Sequence, residues 1–278
     1  MKTIRTVAEL RAELAGRENV GLVPTMGFLH DGHLSLIRRA HTECSTVVVS
    51  LFVNPKQFGP GEDLDAYPRD EARDAASAEQ CGADVLFVPA SDEVYPDGFA
   101  TTVEVAGLTD VLCGAARPGH FAGVTTVVTK LFNMVAPDVA YFGQKDAQQA
   151  LVIRKLARDL DMPVRIEVCP TVREPDGLAL SSRNAYLSPD ERARALALRR
   201  SLRAAEAAVA AGRTGAEDVL AAAREQLQEA GIEPEYLELR SAQDLAPVER
   251  VNGSTLLAVA AQVGRARLID NTILTGDQ

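Results

Sequence analysis

Val20-Gly-Leu-Val-Pro-Thr-Met-Gly-Phe-Leu-His-Asp-Gly-His33 is the stretch whose reading decides the fold. The apolar run Val20–Val23 reads as a buried strand, and it ends in Pro24-Thr25-Met26-Gly27. A helix is expected from about His33, with Leu34, Ile37 and Ala40 at the spacing of one face. Strand, glycine-bearing turn and helix make up the first half of a crossover unit. Outward from it, Thr6-Val-Ala-Glu9 forms a capping box for a helix stopped by Gly16. Downstream, the valine-rich run Thr46–Val53 suits a central parallel strand buried on both faces. A helix over Pro68–Gln80, closed by Gly82, precedes a strand at Asp84–Val88. Val124, Val127, Val128, Leu131, Phe132 and Val135 then recur at helical spacing within Gly123–Val135. Asp138–Phe142 reads as a strand, Asp146–Leu160 as a helix and Val164–Cys169 as a strand. Strands alternating with helices imply right-handed crossovers and a doubly wound parallel α/β sheet. Ligands bind such sheets beyond the C-terminal ends of the strands.

After about residue 172 the texture changes. Ser188-Pro189-Asp190-Glu191 places an N-cap, a proline at the first helical position and a glutamate at the third. It opens a long helix to about Ala211, followed by a second over Ala216–Ala230 that Gly231 stops. Three strand-like runs close the chain: Glu235–Arg240, Thr255–Val263 and Arg265–Ile269. Gly264 joins the last two so tightly that an antiparallel hairpin is expected. The expected organisation is therefore a parallel-sheet domain over residues 1–172 and a smaller α+β domain over residues 173–278.

Composition narrows the function. Asp plus Glu is 39 against 29 Lys plus Arg, a formal charge of −10 over 278 residues. A chain this acidic repels a nucleic-acid backbone, so an anionic ligand must be met by a local cluster of positive groups. The N-terminus lacks a signal-peptide core, and no apolar run approaches a membrane span. Cys44, Cys81, Cys113 and Cys169 are widely spaced without a CxxC pair, which suits reduced thiols in a cytoplasmic protein.

Five motifs carry chemistry, four of them at strand ends or helix entries. The Pro24–His33 turn offers backbone N–H groups and a positive helix end to a phosphate. His30 and His33 straddle that helix start, where imidazoles can donate to phosphoryl oxygens as charge develops. A zinc pair would need further ligands, and only His41 and His120 remain. Asn54-Pro-Lys-Gln57-Phe-Gly59 offers neutral amides suited to hydroxyls and a carboxylate, or is simply a turn. Arg117–Gly123 suggests either a phosphate contact or an ordered loop. In Gly143–Gln149, Lys145 can reach a phosphate and Asp146 can orient a hydroxyl or hold a helix start. Gln149 falls one helical turn past Lys145, so the two are expected to face one cavity. Ser181-Ser182-Arg183-Asn184 pairs two hydroxyls with a guanidinium, a set suited to a triphosphate.

Together with Asp63–Arg69, these motifs resemble the pantothenate synthetase family in order and spacing, strongly over residues 20 to 190. The histidine motif alone is shared by many nucleotidyltransferases. The resemblance implies a Rossmann-like first domain, a C-terminal lid and a homodimer formed through the N-terminal domains. It also implies a two-step ligase: pantoate attacks the α-phosphorus of ATP, and β-alanine then displaces AMP from the acyl-adenylate. By motif, His30 and His33 would bind phosphate and stabilise the transition state, with His30 a candidate proton donor. Met26, Gly143, Asp146 and Val172 would hold the nucleotide. Lys145, Ser181, Ser182 and Arg183 would grip its phosphates, and Gln57 and Gln149 would hold pantoate. Mg²⁺ would ride on the phosphates with few or no protein ligands. Lys56 stands where many relatives are uncharged; its charge either joins that pocket or points to solvent.

No serine or cysteine nucleophile is needed when the substrate carboxylate attacks, so alignment and charge stabilisation would carry catalysis. Two rivals remain open: a nucleotidyltransferase acting on a phosphate ester, and a catalytically silent nucleotide-binding module.

Overall fold

The computed structural model describes residues 1–62 and 64–276. Asp63, which opens the Asp63–Arg69 motif, and the last two residues of the expected second domain lie outside the described residues. The chain forms two compact units, residues 1–143 with 148–170, and residues 144–147 with 171–278.

The first unit is built on six parallel strands, β1 (Lys2–Ile4), β2 (Val20–Thr25), β3 (Thr46–Leu51), β4 (Val85–Phe87), β5 (Val139–Gly143) and β6 (Arg165–Cys169). Their order across the sheet is β1-β4-β3-β2-β5-β6. The helices between them are α1 (Val7–Leu14), α2 (Asp31–Glu43), α3 (Glu71–Gln80), α4 (Ser91–Val94), α5 (Leu112–Ala116), α6 (His120–Val135) and α7 (Ala147–Asp159). Every residue of β3 is buried, as the valine run requires of a strand covered on both faces. Thr6 and Glu9 form the expected capping box of α1. In α6 the six apolar residues that define the helical spacing are all buried.

The strand order locates the ligand crevice. Chain connections run from β2 to β3 on one side, while β5 flanks β2 on the other. Such a reversal opens a cleft beyond the C-terminal ends of the two central strands. Thr25 and Gly143 are those ends. The histidine turn and the Gly143 motif thus begin at the switch point.

In the second unit, α8 (Pro189–Ala210) and α9 (Ala216–Glu229) accompany an antiparallel sheet, β7 (Pro234–Ser241), β8 (Gly253–Val263) and β9 (Ala266–Gly276), in that order. Ser188 and Glu191 form the second expected capping box. Leu198 and Leu202 of α8, Val219 and Leu227 of α9, and Leu257 and Val259 of β8 share one core. Burying each such side chain contributes about 1.5–3 kcal/mol. The hairpin turns at Gly264, with φ +57°. Strand β9 runs to Gly276, well past the Ile269 expected from sequence. Its interior carries Asp270 and Asn271, both buried; their side chains are hydrogen-bonded, so polarity does not end the strand. Among the described residues no helix is long and apolar enough to cross a membrane.

Candidate active site

At the end of β2 the chain makes a turn that few residues tolerate: Gly27 has φ +84° and Phe28 φ +51°. In a turn of this kind successive backbone N–H groups can converge on an anion. Here the anion comes from the protein. The N–H groups of Phe28 and Leu29 donate to the two carboxylate oxygens of Asp74, at 2.6 and 2.7 Å. Asp74 is 1% exposed, on the face of α3 that also buries Ala78. These two N–H groups are therefore taken, and a phosphate must be met by other groups of the motif.

His30 is the N-cap of α2, and its N–H donates to Nδ1 of His33 (3.4 Å). A ring nitrogen that accepts cannot carry the proton, so in neutral His33 the proton sits on Nε2. The two imidazoles stack at 4.1 Å between centroids with planes 28° apart. The turn thus brings both histidines together, and the Nε2–H of His33 is a donor of the kind an oxyanion needs.

The Asn54–Gly59 loop follows β3 and is fixed by hydrogen bonds of Asn54 to the motif itself and to Tyr95 and Gly123. Asn54, 1% exposed, donates to Oε1 of Gln57 and to the Gly123 carbonyl, both at 3.1 Å. Its Oδ1 accepts from the Tyr95 hydroxyl (2.8 Å) and from the Lys56 N–H (3.3 Å). Burial pushes the Tyr95 phenol far above its ordinary value, so it remains a donor. Both ends of the Asn54 amide are thereby engaged, and Asn54 orients Gln57. The Nε2 of Gln57 lies 3.0 Å from Sδ of Met26, a weak acceptor that an oxygen ligand can replace. Helix α6 approaches so closely that a Cβ on Gly123 would strike the Lys56 carbonyl.

Of the two roles open to Arg117, the geometry shows the loop-ordering one. Its Nε and Nη2 pair with Glu62 at 2.8 and 2.5 Å, and Nη2 also reaches the Gln57 carbonyl (3.4 Å). Hydrogen bonds from Arg117 hold the Glu62 carboxyl below the usual carboxylate range, against its partial burial. The same carbonyl accepts from His120 Nδ1 (2.8 Å) while Arg117 donates to Nε2 (3.2 Å), which assigns a neutral Nδ1–H ring. Lys56 is exposed, as the second alternative expects, and its Nζ lies 5.3 and 5.4 Å from the ring centroids of Tyr95 and Phe99.

Of the remaining candidates, Lys145, Asp146, Val172 and Ser181–Arg183 fall in the second unit, while Gly143 and Gln149 belong to the first. Gln144–Asp146 is a 3₁₀ turn, and α7 begins only at Ala147. The 3₁₀ turn that carries Lys145 leads directly into the helix that carries Gln149. Asn271 of β9 donates to the carbonyls of Gln144 and Lys145 (2.9 Å each) and accepts from Gln144 Nε2 (3.0 Å). Lys145 Nζ lies 3.8 Å from Asp146 Oδ1.

Val172 accepts from the N–H of Leu180 (3.0 Å), which closes a loop leading to Ser181. Ser181 caps the 3₁₀ turn Ser182–Tyr186 by accepting from the Arg183 N–H (3.3 Å), so its hydroxyl proton is available to donate. Asn184 donates to Glu174 (2.7 Å) and the Ala179 carbonyl (3.0 Å), and Arg192 of α8 donates to the other Glu174 oxygen (2.5 Å). Asp74 and Asn271 escape a reading of motifs because each lies far along the chain from the group it holds, 46 positions from Phe28 and 127 from Gln144. Only Asp74 leaves a trace, a carboxylate in register with Ala78 on a helix face.

An open parallel sheet with polar motifs at its switch point defines an α/β protein of the ligand-binding, doubly wound class. The family model for pantoate-beta-alanine ligase matches residues 2–273. A pantothenate synthetase of Pelotomaculum thermopropionicum is 52% identical over 283 residues, covering 99% of each chain. The crystal structure of pantothenate synthetase from Thermus thermophilus superposes with a TM-score of 0.96 at 50% identity, over 99% of this chain and 100% of that one. A pantoate-beta-alanine ligase from Francisella tularensis, crystallised with "Beta-gamma ATP" and β-alanine, has a TM-score of 0.81 at 33% identity, over 98% and 97% of the two chains. The chain belongs to the pantoate-beta-alanine ligase family.

Proposed function

We propose that the chain condenses (R)-pantoate with β-alanine to pantothenate, consuming ATP and releasing AMP and pyrophosphate. A pantoate carboxylate oxygen attacks the α-phosphorus of ATP, the bond to pyrophosphate breaks, and pantoyl-adenylate forms. The amine of β-alanine then attacks the acyl carbon; AMP leaves, and the nitrogen loses a proton as the amide forms. The observation that carries this reading is Gln57, a neutral donor set 3.0 Å from Met26 within the turn that bears both histidines. A donor amide beside a phosphate-binding turn suits a hydroxy acid whose carboxylate must reach phosphorus, whereas a phosphorylated acceptor calls for cations.

In this reading the His33 Nε2–H and the His30 ring stabilise charge on the phosphoryl oxygens, and His30 is the candidate proton donor. Lys145, Ser181, Ser182 and Arg183 grip the phosphates through point charge, hydroxyl donors and a guanidinium fork. The Met26, Gly143 and Val172 backbones and the Asp146 carboxylate hold the adenosine. Gln57 and Gln149 hold pantoate. Mg²⁺ bound to the phosphates would neutralise part of their charge, with few or no ligands from the protein. Residues 173–278 serve as the lid, and the active form is a cytoplasmic homodimer built through the N-terminal domain; both rest on the family resemblance.

Product analysis tests the reading. ATP, pantoate and β-alanine together should yield AMP and an amide in equal amounts. A stable nucleotidylated product would assign the chain to the rival transferase instead.

A further inference from the structure

We infer that Asp74 is a positioning residue for adenylation, its carboxylate filling the backbone nest of the Gly27–Leu29 turn and thereby fixing both imidazoles. The inference rests on the proposed adenylation and deepens it. Four observations converge on it.

The N–H groups of Phe28 and Leu29 reach separate oxygens of one carboxylate, at 2.6 and 2.7 Å. Charge-assisted bonds of this kind are among the strongest a backbone makes. Phe28 occupies a left-handed conformation that side chains disfavour, so the turn needs an external hold. Glycine is favoured at position 27 by its φ of +84° and by the tight 3.1 Å that would separate a Cβ from Asp74 Oδ2.

The neighbouring Arg73 takes the other side of the same residue. Its Nη2 donates to the Leu29 carbonyl (2.6 Å), and its guanidinium lies 4.6 Å over the Phe28 ring. Adjacent residues of α3 thus secure both the N–H and the C=O of Leu29. His30 follows directly as the N-cap, and its N–H reaches His33. Leu29 is thus held from α3 at both backbone groups, the next N–H along the chain reaches the His33 ring, and the His30 ring stacks on it.

The physical consequence is twofold. Asp74 keeps anions out of the nest and directs a phosphate to the histidines. It also settles the ring positions before substrate arrives, where a displacement of about 1 Å costs on the order of 10²-fold in rate.

The test is Asp74→Asn, which sets an NH₂ donor against a backbone N–H at nearly constant volume. The kcat of pantoate-dependent pyrophosphate–ATP exchange should fall about 10²-fold with the KM for pantoate within about twofold of the unaltered protein. The imidazole NMR signals of His30 and His33 should move, while that of His120, held by the Gln57 carbonyl, stays. Folded Asp74→Asn protein with unmoved His30 and His33 signals overturns the inference, whatever its exchange rate. So does full exchange activity. If that variant does not fold, the unaltered protein still decides. Slowly exchanging, downfield amide protons at Phe28 and Leu29 support the clamp, and rapid exchange at both refutes it. Should the unaltered protein lack exchange activity altogether, the proposed function falls, and the amide and imidazole signals still judge Asp74.

Discussion

The histidine turn and the Ser181–Asn184 loop both present groups suited to phosphate, yet they are held by different physics. Around the turn, a carboxylate that is 1% exposed saturates two backbone donors, and the preceding strand β2 is almost entirely buried. Around the loop, the ties are side chains near the surface: Asn184 to Glu174, and Glu174 to an Arg192 side chain that is 34% exposed. A buried, backbone-directed hold tolerates little displacement, whereas partly exposed pairs contribute less and rearrange more readily. The turn is thus the more rigidly held of the two segments, and the loop the more adaptable.

Substitutions can break or sharpen that contrast. His30→Ala should have the largest effect: adenylation falls by about 10²-fold or more with the fold intact, as loss of an oxyanion-type donor requires. Near-normal pyrophosphate exchange in that variant would remove His30 from the reaction. Asn184→Ala strikes the adaptable side. It removes one bond to a carboxylate and one to a carbonyl, and urea titration should show a loss of about 1–3 kcal/mol. The KM for ATP should rise while that for pantoate holds; the opposite pattern would separate the loop from the triphosphate.

Smaller changes come next. Gln57→Ala should weaken pantoate binding by about 0.5–1.5 kcal/mol per lost hydrogen bond, read as a higher pantoate KM. An unchanged KM would exclude Gln57 from that pocket. Glu62→Gln should have the smallest effect, about 1 kcal/mol or less of stability at pH 7. Arg117 lowers the folded-state pKa of Glu62. The contribution of Glu62 is therefore complete above the unfolded carboxyl value of about 4.3 and is lost as pH falls through the lowered one. The urea midpoints of the two proteins should converge in that acid range, and a gap independent of pH would contradict the assignment.

Much of this architecture was legible in the residues alone. The Thr46–Leu51 valines, the capping boxes at Thr6 and Ser188 and the glycine turn after Val20–Val23 are local signals, and each resolves into the expected element. Strand β1 escapes because three residues with only Ile4 buried carry no periodicity. Strand β9 is cut short in the sequence reading by Asp270 and Asn271, whose polarity is offset by partners the sequence does not place beside them. Asp270 binds Arg173 at 2.6 and 2.9 Å across 97 positions of chain. The candidate site divides in the same way. Histidines and glutamines announce themselves by motif. Asp74, 46 positions from Phe28, does not, because a positioning residue is defined by what folds against it.

The central claim is an acyl-adenylate formed at the histidine turn, and pantoate-dependent exchange of pyrophosphate into ATP tests it most directly. Run first without β-alanine, exchange should require pantoate; β-alanine added afterwards should release AMP and pantothenate. Folded protein that binds ATP yet shows neither exchange nor amide would contradict the account.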